Sequence, residues 1–167
     1  TESLSPQNTY GQHKLLAEQR CQALCANAVS LRLSWMYDPV PLEVSCHSDF
    51  FTNLLPKLGT DETVFYPVYD RRGITDVNEV IRNMEKAISL PGGAYDFGAS
   101  NDKSMYETVV ALFSGLGLDV NRVKENVEAF KDTPRDMTLK QDVLNGFGIY
   151  FKDTTKALVQ NFAQHRK

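Results

Sequence analysis

Hydrophobic positions along the chain alternate between a helical and a strand rhythm. From Pro6 to about Ala26, Leu15, Leu16, Ala23 and Leu24 recur near the helical repeat. With Ser5 as N-cap and Pro6 at the first helical position, this stretch predicts an amphipathic helix resting on a sheet. AVSLRLSWMYDP then turns apolar and β-branched, which predicts a buried strand ending in Ser34, Trp35 and Tyr37. From Asp38 a proline-bearing loop leads to a short helix over Asp49 to Leu58, capped by Ser48 or Asp49. TVFYPVYD reads as a strand in which Pro67 argues for an edge or a bulge. Gly73 marks a turn, and Asp76 caps a helix with Val77, Val80, Ile81, Met84 and Ile88 on its inner face. PGGAYDFGAS gives a turn and a short strand. A helix from about Lys103 to Leu116 then buries Met105, Val109, Leu112 and Phe113. A last helix runs from about Asp153 to the end, with a basic final turn suited to the helix dipole.

A helix feeding directly into a buried strand is one step of a doubly wound α/β sheet, in which ligands sit at the carboxyl ends of strands. Trp35 falls near such an end. On the helix before it, Tyr10 and Lys14 are four residues apart and share one face. An ammonium held close to a phenol favours the phenolate, so the pair suits proton donation to a carbonyl under reduction. The competing reading is a solvent-exposed helix surface that carries Tyr and Lys by chance.

Composition narrows the field. The 167 residues carry a net charge of −3 and no basic stripe, Arg71-Arg72 being isolated, so a nucleic-acid partner is not expected. No apolar run reaches the length of a membrane span and no secretory signal opens the chain, which points to a cytoplasmic setting without a membrane partner. Cys21, Cys25 and Cys46 show no metal-ligand spacing, and the first two read as small packing positions one helical turn apart. Cys46 and His47 are adjacent and lack an orienting third group, which disfavours a Cys-His nucleophile. His13 and His165 are expected in solvent. Gly92-Gly93 and Gly115-Leu116-Gly117 are turn and helix-end glycines, and no G-x-G-x-x-G element follows a strand and opens a helix.

PQNTYGQHKLLAEQ followed by LRLSWMY resembles the tyrosine-lysine helix and next strand of the extended short-chain dehydrogenase/reductases, most of all the dTDP-4-dehydrorhamnose reductase branch. Pro6, Asn8, Tyr10, Gly11, Lys14 and Glu18 fit its Pro-x-Asn-x-Tyr-Gly-x-x-Lys-x-x-x-Glu pattern, and Arg32, Ser34 and Trp35 fit its Arg-x-Ser-Trp strand. TPRDMTLKQDVL resembles its Arg-Pro-Arg-x-x-x-Leu segment with Thr133 in place of the first arginine. Gly73-Ile74-Thr75 stands where Gly-x-Pro-Thr is usual.

The resemblance implies the C-terminal part of an NAD(P)-binding Rossmann-like α/β fold that lacks the glycine-rich N-terminal βαβ half. Residues 1–37 would be a remnant of the dinucleotide domain, and 38–167 mainly a substrate domain with segments returning to the Rossmann sheet. It implies catalysis by Tyr10 and Lys14, cofactor contacts from Tyr10, Lys14 and Ser34, and nucleotide-sugar contacts from Trp35, Asn53 and Arg135, with Phe50 and Phe51 as further pocket candidates. Arg135 is equally readable as a capping or surface residue. The implied cofactor is NADPH or NADH, bound only with the missing half, so the fragment alone would be inactive. Two other readings stay open: a non-catalytic regulatory subunit, as in the β subunit of methionine adenosyltransferase, and an epimerase or dehydratase of the same class. Homodimers are common among relatives, although no signature of one is present here.

Overall fold

The computed structural model describes residues 4, 6, 8–40 and 48–165. Ser5, Cys46 and His47 lie outside them.

Helix α1 (Thr9–Leu24) starts later than its apolar rhythm predicts because Asn8 caps it, accepting a 2.8 Å hydrogen bond at Oδ1 from the Gly11 amide. It stops where Cys25 turns extended. None of its residues is buried, and Leu16 and Leu24 are 43% and 89% exposed. Of the expected resting face, Leu15 is half-buried, while Leu16, Ala23 and Leu24 stand in solvent. The adjacent sheet is two strands wide among the described residues, which leaves most of the helix uncovered. Cys21 and Cys25 are exposed for the same reason and are not packing residues.

The expected single strand divides in two. Strand β1 (Val29–Arg32) pairs with β6 (Gly93–Asp96), and β2 (Trp35–Tyr37) pairs with β5 (Ile74–Asp76). The change of partner falls at Leu33 and Ser34, so β1 is half-buried and only Tyr37 of β2 is fully enclosed. Strand β3 (Val64–Pro67) pairs with β7 (Val123–Asn126), and β4 (Asp70–Arg72) with β8 (Arg135–Met137). All four pairs are parallel. Pro67 closes β3, which has a partner on one side only, as its missing amide requires. Gly73 makes no turn; it links β4 to β5.

Helix α2 (Phe50–Leu58) is capped by Asp49 in a reciprocal box with Thr52. Helix α3 (Val77–Ile88) takes Asp76 as its cap, as expected, but buries Glu79, Val80, Asn83 and Ala87. Ile81, Met84 and Ile88 are exposed instead. The rotation follows from hydrogen bonding: Asn83 Nδ2 donates to the Glu79 and Tyr150 carbonyls, and Glu79 Oε2 accepts from the Lys152 amide. Those buried polar partners outweigh the apolar stripe in setting the inward face. Helix α4 (Met105–Gly115) buries Met105, Val109, Leu112 and Phe113 as its spacing predicts. A short helix α5 (Asp142–Asn145) precedes α6 (Thr154–Gln164). The last turn of α6 carries no basic residue; Arg166 and Lys167 lie outside the described residues.

Two apolar clusters form the core. One joins α2, α4, α6 and the β3–β7 pair around Tyr37, Phe51, Phe113 and Phe162; the other sits between α3 and β6 around Phe97, Leu144 and Ile149. Phe51 stacks on Tyr37 at 5.6 Å and meets Phe162 at 4.2 Å between ring centroids. It is wholly enclosed, so this candidate pocket residue belongs to the core. Tyr37 Oη also accepts from Asn161 Nδ2 at 2.8 Å, and the same amide donates to Asp76 Oδ2 at 3.1 Å. Burial first, and then the nearby Asp76 charge, hold the Tyr37 phenol above its ordinary range against that hydrogen bond. Burial alone pushes Tyr66 up to about 12.

Replacing Phe51 with Ala is expected to cost about 3–5 kcal/mol of stability, measured by urea unfolding. A ligand-pocket residue would instead leave the unfolding midpoint in place. Because Tyr37 and Tyr66 ionise later in the folded than in the unfolded chain, stability should hold up to about pH 10 and fall toward pH 12. Tyr66→Phe should flatten that decline, and an unchanged alkaline slope would refute the assignment.

Candidate functional site

Tyr10 and Lys14 occupy the first turns of α1, where the Asn8 cap fixes the start of the helix. Lys14 Nζ lies over the Tyr10 ring, 5.4 Å from its centroid, and Tyr10 is 72% exposed. The ammonium thus addresses the ring face of a side chain that stands largely in solvent. Two side-chain links hold this helix to β1. Arg32 donates from Nε and Nη2 to the two carboxylate oxygens of Glu18 at 2.9 and 2.7 Å, and Gln22 Nε2 donates to the Ala28 carbonyl. Arg32 also approaches Asp96, its register partner across β1 and β6, at 3.8 Å. Glu18 and Arg32 are both positions of the sequence patterns, and the structure shows that they serve each other. Their hydrogen bond is the main cause holding the Arg32 guanidinium above its ordinary value.

Ser34 and Trp35 stand where β1 gives way to β2. Ser34 Oγ donates to the Gly73 carbonyl at 2.6 Å. Trp35 is 48% exposed, and the Arg72 guanidinium covers one face of its indole at 4.0 Å. Arg72 in turn is forked onto Asp70, with Nε and Nη2 at 3.0 and 2.8 Å from its carboxylate oxygens, and both side chains are buried. Sequence reading passed over this pair by treating Arg71-Arg72 as an isolated basic dipeptide. The usable signal was Asp-x-Arg on a strand, which puts the two charges on one face.

The backbone around Arg72 is pinned from several sides. Asn101 Nδ2 donates to the Arg72 carbonyl at 2.9 Å, Ile74 N donates to Thr154 Oγ1 at 3.0 Å, and Ala99 N donates to Thr75 Oγ1 at 2.9 Å. An ideal Cβ on Gly73 would lie 2.0 Å from the Ala99 carbonyl oxygen. Gly92 is equally tight against the Ala26 carbonyl, and a Cβ on Gly115 would meet the Val159 side chain at 2.7 Å. These glycines admit neighbouring protein atoms; none frames an open phosphate cradle.

Arg135 opens β8, a strand the sequence did not reveal, and its guanidinium lies 4.0 Å from the Phe130 ring centroid. Its amide donates to the Tyr69 carbonyl at 2.8 Å. Asn53 is exposed on α2, and Phe50 is half-buried beside Tyr66 and Phe162. Pairing of β4 with β8 brings Arg135 level with Asp70, two residues from Arg72. Among the described residues no hydrogen bond, ion pair or ring contact joins Tyr10 or Lys14 to Trp35, Asn53 or Arg135. Two surface depressions of about 500 and 460 Å³, one beside Phe65 and Tyr106 and one beside Leu58 and Arg122, include none of these residues.

Parallel strand pairs flanked by helices, with the helix of Tyr10 and Lys14 leading into β1, make a partial Rossmann-like fold of the extended short-chain dehydrogenase/reductase type. The profile of the RmlD substrate binding domain matches residues 1–142, and the chain belongs to that family. Solved structures agree at the level of fold. The dTDP-4-dehydrorhamnose reductase of Bacillus anthracis, solved with NADP, is 20% identical with a TM-score of 0.68; the alignment covers 99% of this chain and 58% of that one. The Clostridium acetobutylicum dTDP-4-dehydrorhamnose reductase ortholog gives 17% identity, a TM-score of 0.71 and coverages of 99% and 59%. The ADP-L-glycero-D-manno-heptose-6-epimerase of Helicobacter pylori gives 20%, 0.67, 96% and 52%. The chain thus spans little more than half the length of these proteins. A search of curated protein sequences found no significant match. Among the described residues, no helix is long and apolar enough to cross a membrane.

Gly73→Ala should destabilise the chain by more than about 2 kcal/mol, because its methyl meets backbone rather than a movable side chain. A thermal melt of the variant within a degree or so of the parent would show that the Gly73–Ala99 approach is not needed.

Proposed function

We propose that this chain is the C-terminal portion of an NAD(P)H-dependent reductase of a nucleotide-linked 4-keto-sugar, most like dTDP-4-dehydro-L-rhamnose. The observation that carries this reading is the family match over residues 1–142, a span that contains Tyr10, Lys14, Ser34, Trp35, Asn53 and Arg135.

In this reading residues 1–37 belong to the dinucleotide domain, and the following residues form mainly the substrate domain. Tyr10 donates a proton to the ketone oxygen, which its exposed phenol can reach. Lys14, one turn on, assists the phenol and binds the ribose next to the nicotinamide. The nicotinamide, when bound, supplies the hydride for the ketone carbon. Trp35 offers its uncovered face to the sugar, Arg135 takes a diphosphate oxygen and Asn53 a sugar hydroxyl. The residues present fit the ribose end of such a cofactor. They do not fit its pyrophosphate, since among the described residues no glycine-rich turn follows a strand and opens a helix. The chain alone is accordingly inactive, and a segment that supplies a glycine-rich turn completes it.

Calorimetric titration of NADPH into the 167-residue chain should give no binding. Binding at micromolar strength would overturn the claim that the pyrophosphate site lies elsewhere. In a polypeptide extended upstream by a dinucleotide-binding half, Tyr10→Phe should lower kcat about a hundredfold or more with little change in KM. Unchanged turnover would remove Tyr10 from the chemistry, and absence of any keto-sugar reduction in the parent would favour a regulatory subunit.

A further inference from the structure

The structure assigns Arg72 the role of a positioning residue for Trp35: anchored by Asp70, it holds the indole with one face committed and the other open to a ligand ring. This rests on the proposed function only in saying what the open face meets.

Asp70 and Arg72 are 2% and 4% exposed, and a buried ion pair seldom repays its desolvation as well as an apolar pair of equal size would. Its retention is therefore better explained by geometry than by stability. A guanidinium has two kinds of surface, an edge that donates and a flat face that stacks. Here the edge is taken by Asp70, through Nε and Nη2, which fixes the plane of the group. The face lies against Trp35, 4.0 Å from the ring centroid. The strand beneath is fixed as well, since Asn101 holds the Arg72 carbonyl and Ser34, the neighbour of Trp35, holds the Gly73 carbonyl. Trp35 and Arg72 are thus tied through both backbone and side chain. An indole that is 48% exposed would otherwise sample several rotamers, and each would present a different surface. A lysine at position 72 could keep the charge but could not both fork and stack.

Trp35 is the sole tryptophan, so its fluorescence reports this one contact. Time-resolved anisotropy of the native chain should show the indole turning with the whole molecule. Fast independent rotation would overturn the proposal without any mutant. Arg72→Lys, and the double change Asp70→Asn with Arg72→Met that strands no charge, should free the ring. Each should raise acrylamide quenching of Trp35 about twofold and weaken its near-ultraviolet dichroism while far-ultraviolet signal persists. A folded variant with unchanged quenching and dichroism would equally overturn it. Adding dTDP-glucose separates the two claims. Protection of Trp35 from acrylamide in the native chain supports a nucleotide-sugar at the open face. No protection with an immobile indole removes that ligand and leaves the Arg72 anchor standing.

Discussion

Parallel pairing between distant segments is the constraint on which the structure depends. Val29 meets Gly93, Trp35 meets Ile74, Val64 meets Val123 and Asp70 meets Arg135. No tight turn can make such a pair, because a parallel neighbour must return through a crossover. The helices α2, α3 and α4 and the long loops lie in those crossovers, and the apolar clusters form where they cover the strands. The close approach of Gly73 to Ala99 and the hydroxyl ties from Thr75 and Thr154 lie where these returns converge. Side chains placed beside that junction, Ser34, Trp35 and Arg72, inherit its precision.

Much of the chain's helical order was legible because local signals and burial agree. Asp49 and Asp76 cap their helices as their positions predict, and the apolar spacing of α4 names its buried residues correctly. The sequence misled where polar groups decide orientation. In α3 the apolar stripe pointed to Ile81, Met84 and Ile88, yet Glu79 and Asn83 turn inward because the loop around Tyr150 and Lys152 supplies partners that periodicity cannot reveal. Strand β8 escaped notice because Arg-Asp-Met has little strand character of its own and is ordered by β4.

The candidate site was legible in its residue types and not in its wiring. Tyr10 and Lys14 share one helical turn, as their spacing predicts, whereas Trp35, expected near the carboxyl end of a strand, opens β2. Their supports are long-range: Glu18 with Arg32 and Trp35 with Arg72 pair side chains from separate elements. A single sequence lists such residues without saying which of them meet. The patterns containing Glu18 and Arg32 gave no hint that one ion pair spans both.

Helix α1 has sixteen residues, a cap and no buried side chain. Most helical stability in proteins comes from a packed face, so this helix opens more cheaply than α4 or α6, which bury side chains. Its backbone amides should therefore exchange far sooner than those of α4 and α6, and its tie to β1 through Glu18 and Arg32 weakens as ionic strength rises. The turn bearing Tyr10 and Lys14 is then not yet part of the cooperative core. Anything that covers the exposed positions of α1 would spend part of its binding free energy on ordering that turn.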